Sequence, residues 1–331
     1  MGSLTNSDKK EGTVVDETMF ILGGTGFIGH EVVIRAADAG WQVKALVRSE
    51  QGANAMRQIG ALPVVANIYR PEAWITEVRG STALIDLTQP KLPKRLSRPV
   101  MKPLSTERQA MTRVTLEALR RLPAEERPIF FFAGSADDLQ PDARGTVSER
   151  SPLRSRPRGF AHIGIPVRRL VEASGAEAVY VYFGSLVYGP GKLFADLIIA
   201  GLRSGSAHVV GAGTNRWPLI HVTDAARALV HLAGLSRTEL VGRTFIAMDG
   251  ADTTQRELLD ETAVLIGAKR PRAVPAWLAA LVVGSVAVET ITLDAHADPS
   301  ALLATGFRFR YPSPRQGIPA TLASLAGQAV A

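Results

Sequence analysis

The chain contains no cysteine. That excludes disulfides and thiol chemistry, and it fits a reducing cytoplasm, the expected location. Aromatic residues are scarce, at 6%. Few of them interleave with the basic residues Lys91, Lys94, Arg95, Arg98, Lys102, Arg108, Arg113, Arg120 and Arg121. Much of the +7 net charge lies there, yet no nucleic-acid module accompanies it. The patch reads as a solvated loop or a face that attracts an anionic ligand. The six histidines are scattered, with none at His-x-x-x-His spacing, so no metal site is expected. Long apolar runs are missing too. The longest, Val274 to Val288, is broken by Pro275, Gly284 and Ser285 and reads as a buried helix, not a membrane span. Residues 1–17 are polar, with Lys9 and Lys10, which excludes an ordinary secretory signal and suggests a flexible tail. Neither nucleic acid nor membrane is an expected partner.

The stretch Gly23-Gly24-Thr25-Gly26-Phe27-Ile28-Gly29 organises the chain. It follows the apolar run Met19-Phe20-Ile21-Leu22, a buried strand. Phe27 to Ala39 then has apolar residues at helical spacing, with Gly40 as its stop. Gly23 permits the sharp turn, Gly26 leaves the backbone open to a pyrophosphate, and Gly29 lets helix pack on strand. Free amides at the helix start would face the phosphates. Gly23, Thr25, Gly26, Phe27, Ile28 and Gly29 are the expected dinucleotide contacts. The plainer alternative is a tight turn that binds nothing.

A second strand, Trp41 to Arg48, ends where NAD-selecting folds place an acidic residue to bond the ribose hydroxyls. Arg48 has the charge and fork geometry for a 2′-phosphate. NADP is therefore the expected cofactor, with NAD allowed. A helix over 50–59 and a strand from Leu62 to Ala66 follow. Glu72 to Arg79 reads as a helix, and Thr82 to Thr88 as a fourth strand bearing Asp86 and a further cofactor contact, Leu87. Thr106 to Leu122 is amphipathic, and Pro128 to Ala133 is a fifth strand ending at Gly134-Ser135. Residues 140–159 read as a loop, and Ala176 to Tyr182 as a sixth strand. Helices follow at Leu193–Leu202, at Val222–Leu235, and from the capping box Thr254–Glu257 to Ile266. This alternation implies an α/β fold with a Rossmann-type doubly wound parallel sheet and a smaller C-terminal substrate-binding domain. The sheet domain is assigned to 18–185 with returning segments near 205–250, and the substrate domain to most of 186–331.

In this order the motifs resemble the extended short-chain dehydrogenase/reductase superfamily, specifically its NAD-dependent epimerase/dehydratase family, over roughly residues 18–325. The glycine turn matches Gly-x-x-Gly-x-x-Gly. Asn67 stands where the family often has an Asp touching adenine. Ser135 matches the serine at the end of the fifth strand. Glu149 to Leu153, Val187-Tyr188-Gly189-Pro190-Gly191, Gly211-Ala212-Gly213 and His221 to Ala226 are similar to later family segments. The resemblance implies substrate contacts at Tyr188 and Arg216, although packing is the plainer role for Tyr188. It also exposes a departure. The family's Tyr-x-x-x-Lys pair falls on Phe160 and Gly164, which carry neither a hydroxyl nor an amine. Pro166 suggests that the following helix starts near residue 165. Ser135 and His162 are left as candidate catalytic groups, His162 in the same loop as Phe160 and able to titrate near neutrality. The plainer readings are a strand-end cap and an exposed loop histidine. Asp86, Asp137 and Asp138 are carboxylates near the expected cleft, more economically explained as caps or solvent-facing groups.

Three functions follow from these residues. The first is an NADP(H)-dependent oxidoreductase of a small carbonyl or alcohol, with a non-standard proton relay. The Val274–Val288 run, taken as a pocket wall, makes that substrate lipophilic. The second is a redox-neutral cyclase, isomerase, epimerase or lyase on the same fold. The third is a non-catalytic NADP sensor. A small-molecule substrate is the expected partner, with a homodimer allowed.

Overall fold

A computed structural model describes residues 17–328. The tail expected over 1–17 lies outside that range except for Glu17. Strand β1 (Thr18–Leu22) enters helix α1 (Phe27–Asp38), followed by β2 (Gln42–Val47), α2 (Glu50–Gln58), β3 (Leu62–Val65), α3 (Ile75–Val78) and β4 (Ala83–Asp86). Then come α4 (Arg98–Arg120), β5 (Ile129–Ser135), β6 (Thr146–Val147), α5 (Ala161–Ser174), β7 (Ala178–Phe183) and β8 (Leu186–Tyr188). Next are α6 (Ala200–Ser204), β9 (Val209–Val210), β10 (Leu219–His221), α7 (Val222–Ala233), α8 (Arg237–Leu240), β11 (Thr244–Ala247) and α9 (Gln255–Leu265). The chain closes with β12 (Ala273–Val274), α10 (Ala276–Val283), α11 (Ser285–Ile291), β13 (His296–Ala297), α12 (Ser300–Ala304) and α13 (Pro314–Gln328).

Seven strands pair in parallel in the order β11-β7-β5-β4-β1-β2-β3. The chain builds outward from β1 through β3, then returns to set β4 on the other side of β1. That reversal leaves a crevice at the carboxyl ends of β1 and β4. Both faces are covered, so the strands are apolar on both sides. Met19 and Ile21 of β1 join Val32 and Ala36 of α1 with Ala225 and Leu229 of α7 on one face. Phe20 and Leu22 join Leu116 and Leu119 of α4 with Val167 and Val171 of α5 on the other. The doubly wound α/β architecture is the expected one. A smaller core of Leu186, Tyr188, Phe194, Trp217, Leu219, Leu258 and Ile318 lies beside it. The parallel pairs β8–β10, β9–β12 and β6–β13 join the later elements to earlier loops.

Three of the differences from the sequence expectation have a clear local cause. Helix α4 begins at Arg98 rather than Thr106, because Pro99 in its first turn has no intrahelical amide bond to lose. Helix α5 begins at Ala161, not near 165. Pro166 inside it removes only the bond to the His162 carbonyl. Burial of Ala161, Ile163, Ile165 and Val167 favours the helical first turn regardless. The Val274–Val288 run is not one buried helix. Gly284, at φ +94°, splits it, and a Cβ there would collide with the Leu96 carbonyl oxygen. Helix α11 beyond the break buries Val286 and Val288, whereas α10 buries no residue at all. No helix among the described residues is long and apolar enough to cross a membrane.

Asp86 at the end of β4 is neither a cap nor solvent-facing. Its carboxylate accepts from the buried Arg108 guanidinium of α4 at 3.0 Å and from Thr88 Oγ1 at 2.6 Å. Arg108 also bonds Thr112 on its own helix. The pair fastens α4 to the sheet edge that forms the crevice. Truncating one partner of a buried pair leaves the other charged and unpaired, which typically costs about 3–5 kcal/mol. Arg108→Ala is expected to lose stability on that scale in urea denaturation, and an unchanged midpoint would contradict this role.

Candidate functional site

The glycine turn is built by contacts that exclude side chains. Gly23 sits at φ +85°, and a Cβ there would lie 2.7 Å from the Leu87 carbonyl oxygen. A Cβ on Gly29 would collide with the Gly23 carbonyl, which itself accepts from Gly26 N at 2.9 Å. Gly26 caps α1 without a side-chain bond, and Thr25 and Gly26 are exposed. The result is an open helix N-terminus over a crevice, the cradle a pyrophosphate requires. Phe27 and Ile28 are half-buried, and the Phe27 ring lies against the 189–191 turn. Leu87 is half-buried, its amide bonded to the Leu22 carbonyl across the crevice floor. Arg48 is exposed at the end of β2, ahead of Ser49, which caps α2. A Cβ on Gly52 of α2 would lie 3.5 Å from the Thr25 methyl, so this helix start abuts the glycine turn. Asn67 is exposed, and its Oδ1 accepts from Tyr69 N at 3.0 Å.

Ser135 ends β5 on the same sheet edge. Its hydroxyl donates to Asp137 Oδ2 at 3.1 Å and accepts from Asp137 N at 3.3 Å. Asp137 is fully buried and also receives Thr290 Oγ1 of α11 at 3.2 Å. Burial pushes its carboxyl up to about 6, against the lowering effect of the Ser135 and Thr290 hydrogen bonds. Asp138 is buried beside it and is pushed well above the ordinary carboxylate range, by burial first and then by the Asp137 charge. Arg154 closes the group, donating from Nε to the Asp137 carbonyl at 2.9 Å.

Asp138 explains the glycine at 164. A Cβ on Gly164 would collide with both Asp138 carboxyl oxygens. The space above the helix where the resemblance places a lysine is therefore filled by an acid. Gly159 is crowded in the same way by Thr290 and Asp137.

His162 is the second residue of α5, not part of a loop. Its Nε2 is buried without a hydrogen-bond partner among the described residues. Its charged neighbour is Glu289 of α11. Burial alone would raise Glu289, but the Gly159 amide, Arg98 and His162 together hold it below its usual range. No hydrogen bond joins His162 to Ser135, whose hydroxyl is engaged by the carboxylate and the amide of Asp137. Tyr188 is wholly buried, with its ring edge-on to Phe194 and His221 and its hydroxyl without a hydrogen-bond partner among the described residues. Burial raises its phenol, and it packs the smaller core rather than opening to the crevice. Arg216, expected as a substrate contact, pairs with Asp294 at 3.0 Å and stays partly exposed. Thr290 and Glu289 were not legible in the sequence because they reach the site from more than a hundred residues along the chain, and Arg154 because it lies in the stretch read as a loop. The adjacent Asp137-Asp138 pair beside Ser135 was the one signal available. No cluster of three or more potential metal ligands occurs among the described residues.

Gly164→Ala is expected to destabilise the fold by about 1–3 kcal/mol, as overpacked sites do. Asp138→Ala in the same chain should relieve the collision, so a double-mutant cycle should report strong coupling. Additive effects would remove Asp138 as the cause.

The sequence model of the NAD dependent epimerase/dehydratase family matches residues 19–246. The uncharacterized protein C2A9.02 of Schizosaccharomyces pombe is 26% identical over 215 residues, 64% of this chain and 69% of that one. The chloroplastic epimerase family protein SDR39U1 homolog of Arabidopsis thaliana is 27% identical over 136 residues, 41% of this chain and 39% of that protein. Among solved structures, human epimerase family protein SDR39U1 with NADPH superposes with a TM-score of 0.74 at 18% identity, covering 92% of this chain and 98% of that one. Thermus thermophilus UDP-glucose 4-epimerase with NAD gives 0.69 at 20% identity, covering 94% and 99%. With the family pattern spanning the glycine turn, the sheet and the return strand β11, this chain belongs to the NAD dependent epimerase/dehydratase family.

Proposed function

We propose that this protein is an NADP(H)-dependent oxidoreductase of a small carbonyl or alcohol, in which Ser135 and Asp137 replace the missing tyrosine and lysine. The observation that carries the proposal is the 3.1 Å bond from the Ser135 hydroxyl to a buried carboxyl that burial pushes up to about 6. The open start of α1, with Gly23, Gly26 and Gly29 clearing the backbone, fits a dinucleotide pyrophosphate. Exposed Arg48 would meet a 2′-phosphate, and Asn67 and Leu87 would flank the adenine side and the crevice floor. When bound, the nicotinamide would supply or accept the hydride. The chain's part is the proton. To serve an alcohol, Ser135 takes the substrate proton as its own passes to ionised Asp137. To serve a carbonyl, protonated Asp137 restores the proton that Ser135 gives to the substrate oxygen. His162 has no part in this relay. Helix α10 is exposed rather than buried, so it carries no argument for a lipophilic substrate.

The cofactor assignment has its own test. A folded Gly26→Val variant should lose NADPH affinity in calorimetric titration, and Arg48→Ala should weaken NADPH more than NADH. Equal losses for the two cofactors would remove Arg48 from the 2′-phosphate.

The relay predicts opposite pH limbs. Carbonyl reduction needs protonated Asp137, so its kcat/KM should fall as pH rises through about 6. Alcohol oxidation needs the ionised form and should rise through the same range. Asp137→Asn should flatten both limbs, and Ser135→Ala should cost about a hundredfold or more in turnover with cofactor binding intact. His162→Ala should leave the limbs unmoved. Substrate turnover with no net change in NADPH absorbance would point instead to a redox-neutral reaction.

A further inference from the structure

Helix α10 is the most exposed apolar element of the described chain. Its eight residues, Ala276 to Val283, are all apolar save for the indole N–H of Trp277. Trp277 is 68% exposed, Leu278 41%, Leu281 60% and Val282 72%. Among the described residues, a short helix so apolar and so open is an unpartnered surface.

Its flanks are basic. Lys269, Arg270 and Arg272 precede it, and all three are exposed. At its other end the 91–95 loop is pinned in place by backbone bonds. Leu96 N donates to the Val283 carbonyl at 2.8 Å, and Val286 N donates to the Leu96 carbonyl at 3.0 Å. That loop carries exposed Lys91, Lys94 and Arg95, with exposed Leu92 among them. None of these six cations forms an ion pair among the described residues. Neither stretch contains an acid: 87–106 and 262–288 hold no Asp or Glu. The surface is thus apolar in the middle and positive at both ends.

We propose that α10 and its two basic flanks dock this protein on an anionic lipid bilayer, lying in the interface rather than crossing it. A bilayer surface offers what the patch lacks. Its acyl boundary accepts Leu278, Leu281 and Val282, its headgroup layer suits an indole, and its acidic headgroups move to meet cations. A second copy of the chain fits poorly, since joining the same faces would set like charges together with no carboxylate between them. The expectation of no membrane partner rested on the absence of a span, which does not bear on interfacial binding. The proposal is independent of the reaction assigned above.

The test is co-sedimentation of the full chain with phosphatidylcholine vesicles, with and without phosphatidylserine. Binding is expected only with phosphatidylserine, weakening as salt rises, with a blue shift of tryptophan emission. The shift should vanish in Trp277→Phe. Trp277→Glu combined with Leu281→Glu should lower partitioning by about tenfold or more, as should Lys91→Glu, Lys94→Glu and Arg95→Glu together. Both variants should keep the wild-type thermal midpoint, because every changed side chain is exposed. Equal sedimentation with both vesicle types, no sedimentation with either, or unchanged binding by either variant would overturn the proposal. So would a dimer in solution that the Trp277→Glu, Leu281→Glu variant abolishes while vesicles bind nothing.

Discussion

Where β1 passes into α1 the backbone takes a left-handed step at Gly23, packed against the carbonyl of Leu87. Any side chain there would push β4 away from β1. That contact lies at the point where strand order reverses, so the neighbouring geometry follows from it. With β4 in place, Asp86 reaches Arg108 and fixes α4 on the sheet. With β5 beside β4, Ser135 comes to the same carboxyl edge as the glycine turn. A crevice, a buried ion pair and a strand-end serine all depend on one close approach of two backbones.

The acid side of the site follows a second steric rule. Two neighbouring carboxyls are buried, and burial disfavours their charged forms. They are tolerated because hydrogen bonds reach them from Ser135, Thr290 and the chain itself, and because glycines at 159 and 164 leave them room. A side chain at 164 and the Asp138 carboxyl cannot occupy the same space. The glycine at 164 and the buried acid are thus one steric arrangement: the carboxyl fills the space a side chain there would need.

Gly284 divides one apolar run into two different roles. Beyond it, α11 turns inward, where Thr290 bonds Asp137 and Glu289 bonds the amide of Gly159 at 3.0 Å. Before it, α10 stays outside. Leu96 bonds across the break, so the basic loop, the exposed helix and the helix beneath the acid pair form one connected unit.

Local features were legible in the sequence by itself. The strand–turn–helix at Gly23–Gly29, the sheet alternation, and the Thr254–Glu257 capping box needed only residues within a few positions of one another. The box formed as read, with Thr254 N donating to Glu257 Oε2 at 2.8 Å. Tertiary structure alone decided the rest. Thr290 meets Asp137 across a separation of 153 residues, and Asp294 meets Arg216 across 78. Tyr188 lies in a core whose walls come from Phe194, His221 and Ile318, so its motif could not tell packing from binding. Hydrophobic patterning says that α10 has an apolar surface. Whether another element covers that surface depends on how distant segments fold back, and among the described residues none does.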